Sequence, residues 1–371
     1  MKDEGKISPA QLRILMVTII LGTTVLFMPS LVATAARQDS WLSMILGVAG
    51  GYLEAAVVLA LGKRFPNQSM VQYSEAILGK FLGKILGLAM ILYLILFDLI
   101  IVREFGELLV LAIMPATPIT VFIVLILLLA VYASTAGLEV IARTNEVFFA
   151  PTIVVILLIF ILAAKDFDLG NLLPVLENGP APVLKGTLPT LAFFGEIGLV
   201  GFLYPKINNP GQIPKATYQA LAITGGIMVM DMVAVLAAFN PESASRIILP
   251  TLVMAKNIRI AQFIEHLEAL VVFIWISSVF IKITVFLYAA ALAANQWSGL
   301  NRQRFLNWPL AAILAPLAIY FVPNSLALAK FIEKTSFPVL YAGEIGIPLL
   351  LLIVAAIRGK REVSGHEKAQ K

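Results

Sequence analysis

Two ionisable residues, Glu196 and Lys282, lie in segments of the sequence that are otherwise almost entirely apolar. Glu196 falls within LAFFGEIGLVG, residues 191–201, and Lys282 falls within WISSVFIKITVFLYAAAL, residues 275–292. Because burying a charge in an apolar medium is costly, such residues are candidates for function. Glu196 is suited to capping backbone amides, carrying a coupling proton or binding an ammonium group. Lys282 is suited to pairing with an acid on another helix.

Backbone groups suggest a second kind of chemistry. The stretch GTTVLFMPS, residues 22–30, combines helix-weakening residues with Pro29, which lacks a backbone donor, and glycines surround Glu196. We expect an interrupted helix at each place, with free N–H and C=O ends that attract the carboxylate and the ammonium of one amino acid. The expected contacts are Gly22, Thr23 and Thr24 at the first interruption and Phe194, Gly195 and Gly198 at the second.

Two alternatives stay open for these segments. Membrane helices also use Gly, Thr and Pro as kinks or close-packing points, without any break. Threonine hydroxyls also bond back to carbonyls of their own helix, which is the expected role for at least one of Thr23 and Thr24.

Side chains at helical spacing are candidate walls of the same pocket. Tyr93 and Phe97 are four residues apart and share a helix face, and so do Thr284 and Tyr288. The alternative for each of them is ordinary packing.

Other charges also lie within apolar segments. Arg103 and Glu107 are four residues apart, near the outer end of one segment together with Glu104. They form either a local ion pair or an outer gate. Four further acids have no partner that the sequence identifies: Glu54, Asp98, Asp231 and Glu344.

The elements that hold these residues follow from composition. The chain is 60% hydrophobic and only 13% charged, with a mean hydropathy of +0.94, far from the balance of a soluble domain. A helix needs about 20 apolar residues to cross a bilayer, and ten segments reach or approach this length. They lack the alternation of barrel strands, so we expect an all-α polytopic membrane protein. The segments are residues 10–36, 41–62, 82–113, 117–136, 144–164, 187–205, 216–239, 263–296, 306–322 and 335–357.

The ten segments divide into two halves of five. The two interrupted helices begin the two halves, and the third and eighth segments are both unusually long. We therefore predict a single transmembrane domain over residues 1–371, with repeats at 10–165 and 187–357 and a polar cytoplasmic tail at 358–371. An odd number of spans per half inverts the second half, as in inverted-repeat transporters, with the site near mid-bilayer. The tetrapeptide GEIG recurs at 343–346, where this offset gives it no counterpart, so we treat the recurrence as chance.

The distribution of charge predicts the orientation. Most of the 27 Lys and Arg residues fall in segments that ten spans place on the side of the N-terminus, so we expect both termini in the cytoplasm. This bias explains the net charge of +5 without a nucleic-acid partner. The apolar run behind MKDEGK is laid out like a signal peptide, but it is long and Asp3 and Glu4 dilute its basic region, so we expect it to be retained. We also expect an interfacial helix in SMVQYSEAILGKFL, residues 69–82, and an external loop over residues 240–262.

Several classes of function are disfavoured. Cysteine is absent and only His266 and His366 occur, so we expect neither disulfides nor a metal centre. The sequence also lacks the nucleophile elbow and the metal-ligand spacings typical of enzymes. We expect no cofactor and no enzymatic activity.

Several stretches resemble spore-germination permeases, the B subunits of germinant receptors and a branch of the amino acid-polyamine-organocation superfamily. They are PNQSMVQYSEAILGKFLGK (66–84), VREFGELL (102–109), GLEVIARTNEVFFAP (137–151), NLLPVLENGPAPVLKG (171–186) and the stretch around Lys282. The resemblance implies the ten-span fold with five-plus-five inverted repeats, of the LeuT and APC type. It further implies a nutrient ligand such as an amino acid and a place in the spore inner membrane. It also implies association with an A subunit and a lipoprotein C subunit. Many transporters of this architecture hold a sodium ion between the first and eighth spans, and we expect the Lys282 ammonium to replace that ion.

The expected function is therefore the sensing of a nutrient. The nutrient binds in a mid-membrane pocket, and its occupancy of the pocket is converted into a conformational signal. The alternative is a secondary amino acid transporter coupled to protons or another cation, because a shared fold does not separate the two.

Overall fold

The computed structural model describes residues 5–258, 267–300, 302–320 and 337–362. These residues form helices and their connections, and among them Ile7 and Ile207 make one isolated β-bridge. The α-helices are α1 Pro9–Ala36, α2 Ser40–Arg64, α3 Met70–Leu78, α4 Lys80–Ala112, α5 Ile119–Ala136, α6 Leu138–Ala163, α7 Pro180–Phe194, α8 Val200–Leu203, α9 Ile213–Arg246, α10 Pro250–Asn257, α11 Leu267–Ser298, α12 Gln303–Tyr320, α13 Phe337–Tyr341 and α14 Ile347–Ile357.

Eight stretches of the described chain are long and apolar enough to cross a membrane. One of them, Pro9–Arg64, contains both α1 and α2. The ninth expected segment coincides with α12, which is helical but is not one of the eight. The prediction of an all-α polytopic membrane protein is confirmed, while the division into repeats at 10–165 and 187–357 stays a prediction. Residues 263–266, 321–322 and 335–336 of the expected segments lie outside the described residues.

The first helix is continuous. α1 runs unbroken through Gly22, Thr23 and Thr24, so the prediction of an interrupted first helix is wrong. A Cβ on Gly22 would lie 3.4 Å from the Ser278 carbonyl oxygen of α11, an ordinary contact distance, so this glycine lies against α11 within a regular helix. The Thr24 hydroxyl donates to the Ile20 carbonyl of its own helix, which is the role expected for at least one of the two threonines. Because α1 is surrounded by protein here, packing outweighs the weak helix propensity of these residues.

Pro29 does release one backbone acceptor, but the protein itself satisfies it. Proline cannot donate to the carbonyl four residues earlier, which is that of Val25. The Thr251 hydroxyl of α10 donates to the Val25 carbonyl oxygen over 2.8 Å. The expected external loop at 240–262 is therefore partly wrong, because α10 is helical and Thr251 is buried. Residues 259–262 of that loop lie outside the described part of the chain.

The sixth span changes its helical pitch at the expected place. α7 ends at Phe194 and a 3₁₀ segment, Gly195–Leu199, leads into α8. We call this segment the Glu196 turn. A 3₁₀ segment keeps i→i+3 hydrogen bonds, so it tightens the backbone without leaving the free ends that we expected.

A second irregular turn lies in the last helix. Residues Ala342–Gly346, between α13 and α14, form a π-helical turn that we call the Glu344 turn. This turn holds the second GEIG sequence, and it packs against the Glu196 turn. The two GEIG segments, whose recurrence the sequence gives no reason to expect, are therefore in contact in the structure.

Close approach of α2 and α7 positions the Glu196 turn. A Cβ on Gly47 would lie 2.1 Å from Thr190 Oγ1, and one on Gly51 would lie 2.9 Å from Phe194 Cβ. Only glycine leaves room for these contacts. Phe194 therefore packs between α7 and α2, and the prediction that it contacts ligand is not supported by its position.

The expected interfacial helix is present as α3, but its apolar face lies against the protein. Met70, Tyr73 and Ile77 are buried, and the helix packs on α4, where a Cβ on Gly83 would lie 2.4 Å from Glu75 Cα. Burial raises the pKa of the Tyr73 hydroxyl.

The polar tail begins beside the connection between α2 and α3. The Glu362 amide donates to the Arg64 carbonyl over 2.8 Å, and the Asn67 amide donates to Glu362 Oε2 over 3.0 Å. Residues 363–371 of the expected tail lie outside the described residues.

Candidate functional site

Lys282 of α11 is completely buried and links three helices. Its ammonium donates to Thr23 Oγ1 of α1 over 2.7 Å and to Glu196 Oε1 in the Glu196 turn over 2.6 Å. A lysine ammonium has three N–H donors, so one remains. The ring centroids of Phe97 and Phe193 lie 5.7 and 6.0 Å from Nζ, within the range of a cation–π interaction. The ion pair that we considered for Lys282 is therefore present.

Gly22 gives the Lys282 side chain its path past α1. A Cβ on Gly22 would lie 3.6 Å from Lys282 Cδ, at ordinary contact distance. A longer side chain at position 22 would meet the aliphatic stem of the lysine. Gly22 and Thr23 therefore contribute by packing and by a hydroxyl, and not by free backbone groups.

Glu196 lines a small cavity, and one of its carboxylate oxygens is unpaired within the described part of the chain. Glu196 Oε2 has no hydrogen-bond partner among the described residues. The cavity has a volume of about 20 Å³, enough for about one water molecule. We call it the Glu196 cavity. Its lining consists of Thr23, Phe97, Ile100, Ile101, Glu104, Ala192, Phe193, Glu196, Phe337 and Leu340.

Seven of the ten lining residues are not among those predicted from the sequence, and Glu104 and Phe193 are the two of them that could bind or stack on a ligand. Glu104 was grouped with Arg103 near the end of its span, and Phe194 was chosen in place of its neighbour Phe193. Glu104 follows Phe97 by seven residues, which is two helical turns, so helical spacing alone could have placed both on one face. For two adjacent aromatic residues, spacing gives no means of choosing which one faces the cavity.

Gly195 and Gly198 face carboxyl groups of the protein. A Cβ on Gly195 would lie 2.3 Å from Glu344 Oε2, and one on Gly198 would lie 2.6 Å from Glu54 Oε1. We expected a ligand to approach the backbone at these two glycines. Buried carboxyl side chains of the protein occupy that space instead.

The two aromatic residues of α4 have different surroundings. The Tyr93 hydroxyl donates to Glu344 Oε1 over 3.1 Å, and its ring meets that of Phe97 edge to face at 6.0 Å. Phe97 stacks on Phe286 with centroids 4.6 Å apart, and it lines the Glu196 cavity. Of Tyr93 and Phe97, only Phe97 lines the Glu196 cavity.

The two candidates further along α11 lie away from this cavity. The Thr284 hydroxyl donates to the Phe280 carbonyl of its own helix over 2.7 Å. Tyr288 is buried, and neither residue belongs to the lining of the Glu196 cavity. These positions agree with ordinary packing, which is the alternative role given above for both residues.

Arg103 and Glu107 form the local ion pair that their spacing allows. Arg103 Nη1 also donates to the carbonyls of Ala318 and Ile319 at the end of α12, over 3.1 and 3.3 Å. The pair therefore joins α4 to α12, and its use as an outer gate stays a prediction.

A second cavity, about 30 Å³ in volume, lies on the other side of α1. Its lining is apolar apart from three hydroxyl-bearing residues and includes Gly22, Val25, Thr251, Trp275 and Ser278. It offers a ligand no charged group. Across the described part of the chain, no three His, Cys, Asp or Glu side chains are grouped to hold a metal ion.

The arrangement of these helices is that of known transporters. The chain is similar to MhsT in complex with L-phenylalanine, with a TM-score of 0.67 and 14% identity, covering 94% of this chain and 88% of that one. It is similar to Mhp1 in a closed conformation with bromovinylhydantoin bound, with a TM-score of 0.67 and 12% identity over 98% and 81% of the two chains. A Na+-coupled sialic acid symporter gives a TM-score of 0.63 at 16% identity, over 95% and 84%. These similarities show the fold, which is of the LeuT type.

Sequence comparison then gives the family. The family described as spore germination protein matches residues 6–326. Spore germination protein KB of Bacillus subtilis strain 168 is 27% identical over 375 aligned positions, covering 100% of each chain. Spore germination protein YndE of the same organism is 26% identical over 365, covering 96% of this chain and 98% of that one. The chain belongs to the spore germination protein family, and it is a membrane receptor or permease, not an enzyme.

Proposed function

We propose that this protein is the nutrient-sensing membrane subunit of a germinant receptor, and that it binds an amino acid at the Glu196 cavity. The observation that carries the proposal is the oxygen of Glu196 that the described residues leave unpaired, on a residue that lines the cavity together with aromatic rings and is held beside the Lys282 ammonium. Side chains thus take the role that we expected of interrupted helix ends.

Two acids of the cavity lining, together with the Lys282 ammonium that is bonded to the lining residues Thr23 and Glu196, match the charges of a zwitterion. The ligand ammonium is bound by Glu196 Oε2 and the Glu104 carboxyl, and its carboxylate by the third N–H of Lys282. Phe97 and Phe193 contact the apolar part of the ligand. Both charged ends of the ligand are thereby compensated, which a buried zwitterion requires.

The small size of the cavity provides a route from binding to signal. A volume of about 20 Å³ holds about one water, so an amino acid enters only when the surrounding helices separate. The ligand therefore binds a wider state more tightly than the state described here. A difference in affinity between two states is what converts occupancy into a conformational signal.

The receptor context rests on the family relationship. By that relationship the chain acts with an A subunit and a lipoprotein C subunit in the spore inner membrane. The excess of Lys and Arg on one side supports cytoplasmic termini.

Binding of labelled amino acids to the protein in lipid nanodiscs tests the site. We expect Glu196→Gln and Phe193→Leu each to weaken binding at least tenfold, while Glu139→Gln, in an exposed ion pair with Arg143, leaves it unchanged. Unaltered binding by both cavity variants would exclude this location. Spores that lack the protein should lose their response to the amino acid that binds.

Secondary transport is the second candidate, favoured by the likeness to symporter folds. Uptake of the bound amino acid into proteoliposomes separates transport from sensing. The same preparation tests whether Lys282 replaces a cation, since binding by the unmodified protein should then be the same with and without sodium. Binding that requires sodium would contradict that role.

A further inference from the structure

The two Gly-Glu-Ile-Gly segments meet in the structure, and neither forms an ordinary α-helical turn. One lies in the Glu196 turn and the other in the Glu344 turn, which pack against each other. Irregular turns inside long helices are frequent at functional sites. Glu344 does not belong to the lining of the Glu196 cavity, so the ligand site proposed above does not account for this contact.

Two carboxyl groups converge where the turns meet. The Cβ position of Gly195 lies 2.3 Å from Glu344 Oε2 and 3.0 Å from Glu54 Oε2. The Cβ position of Gly198 lies 2.6 Å from Glu54 Oε1. An acid of α2 and an acid of the last span thus reach the same point of the backbone from two separate helices.

Both acids are buried and incompletely hydrogen-bonded. Glu54 is 4% exposed and Glu344 is 2% exposed. Tyr93 donates to Glu344 Oε1, but Glu344 Oε2 and Glu54 Oε1 have no hydrogen-bond partner within the described residues. A carboxylate can only accept hydrogen bonds, whereas a protonated carboxyl group also donates one. A proton on the pair therefore supplies a missing donor and removes a buried charge.

The neighbouring groups do not neutralise the pair. The titratable groups that face it from the elements packed around it are Tyr93 of α4, Glu196 of the Glu196 turn, Lys282 of α11 and Tyr341 of α13. Lys282 is the one cation of this set, and its ammonium is already bonded to Glu196 and Thr23. Two additional carboxylates would leave uncompensated negative charge inside a membrane protein, which is strongly unfavourable.

We propose that Glu54 and Glu344 form a proton-binding site, separate from the ligand site, and that the bound proton holds the Glu196 turn and the Glu344 turn in contact. When the proton leaves, the two carboxylates repel each other and the turns separate. Since the turns belong to the sixth and tenth spans, with Glu54 on the second, proton release loosens the contact among three helices.

Thermal unfolding of the purified protein in nanodiscs, measured across pH, tests the site without any ligand. Because the proton holds the two turns together only while it is bound, its contribution to stability is complete at low pH and is lost as pH rises. Glutamine imitates the neutral acid. The unfolding midpoint of the unmodified protein should fall at alkaline pH. In Glu344→Gln and in Glu54→Gln we expect this fall to be smaller by several degrees, whereas Glu139→Gln should keep the wild-type profile.

A second measurement remains informative if either single variant folds poorly. The infrared C=O band of protonated carboxyl groups should lose intensity in the Glu54→Gln/Glu344→Gln variant relative to the unmodified protein at neutral pH. Glu344→Asp, which keeps an acid, should retain that intensity. A variant profile parallel to wild type together with an unchanged band would overturn the proposal. Recovery of the alkaline midpoint by sodium would also overturn it, because the bound ion would then be a metal cation.

Discussion

The Lys282 ammonium donates to Glu196 over 2.6 Å, with both side chains completely inaccessible to solvent. Each charge is tolerated there because the other is present. Removing one partner leaves an uncompensated charge, whereas removing both leaves none. This difference distinguishes a structural ion pair from two charges that act separately.

We expect Lys282→Met and Glu196→Gln each to destabilise the protein by about 3–5 kcal/mol. The double variant should be less destabilised than the two single losses combined, because neither charge remains unpaired. Midpoints of thermal unfolding for the four proteins measure this coupling. As a control, the exposed pair of Arg143 and Glu139, with side chains 70% and 42% exposed, should couple by about 0–1 kcal/mol. Additive losses at the buried pair would show that the two charges are independent.

Gly195→Ala should destabilise the protein by about 1–3 kcal/mol, because the added methyl group meets the carboxyls of Glu344 and Glu54. The backbone of Gly195 has φ −63°, so the loss is steric and not conformational. Gly346→Ala is the matched control in the other turn, since its Cβ would lie 3.6 Å from the Tyr341 carbonyl oxygen. Chemical denaturation of both variants checks this. Equal stabilities would mean that the acids can move away from Gly195.

Thr251→Val should cost about 1–3 kcal/mol, because the Val25 carbonyl released by Pro29 then has no donor. Thr251 Oγ1 also lies 3.0 Å from Asp231 Oδ1, so a single variant mixes two effects. Pro29→Ala restores a backbone donor to Val25, and we expect Thr251→Val to cost less in that background. Unfolding midpoints of the two backgrounds give the comparison, with Thr251→Ser as the variant that keeps the hydroxyl. A cost that does not depend on position 29 would count against this compensation.

Two adjacent phenylalanines should behave differently. Phe193→Leu alters the wall of the Glu196 cavity and should weaken amino acid binding with little effect on stability. Phe194→Leu removes ring atoms that pack near Gly47 of α2 and should lower stability by about 1 kcal/mol or more. Binding and unfolding measured on the same preparations test both statements. The opposite pattern would place the ligand on the α2 side of α7.

The sequence is sufficient to predict the spans because a bilayer demands about 20 apolar residues whatever the surrounding contacts. It also places Lys282 and Glu196 in the interior, since their apolar flanks leave no other position. The error at Gly22 to Thr24 has a physical origin. Low helix propensity describes an isolated segment, and α1 is surrounded by helices whose packing outweighs it.

Contacts between distant segments could not be predicted in this way. Glu54 and Glu344 come from two separate spans and converge at Gly195 of a third, and no spacing within one helix shows this convergence. Thr251 likewise compensates for Pro29 from more than 200 residues away along the chain. Such relationships depend on the order in which helices pack, and a periodic pattern describes only the face of each helix.

The π turn at Ala342–Gly346 also determines how the end of the protein meets its lipid surroundings. A π turn accommodates one residue more than an α-helical turn, and each residue of a helix advances it by about 100°. Winding that turn into regular α-helix would rotate α14 by that angle about its axis. Leu349, Leu350 and Ile353, now on the outer side, would swing toward the protein, and the buried Leu351 and Ala355 would swing outward. One additional residue in the turn therefore selects the hydrocarbon-facing side of the last helix.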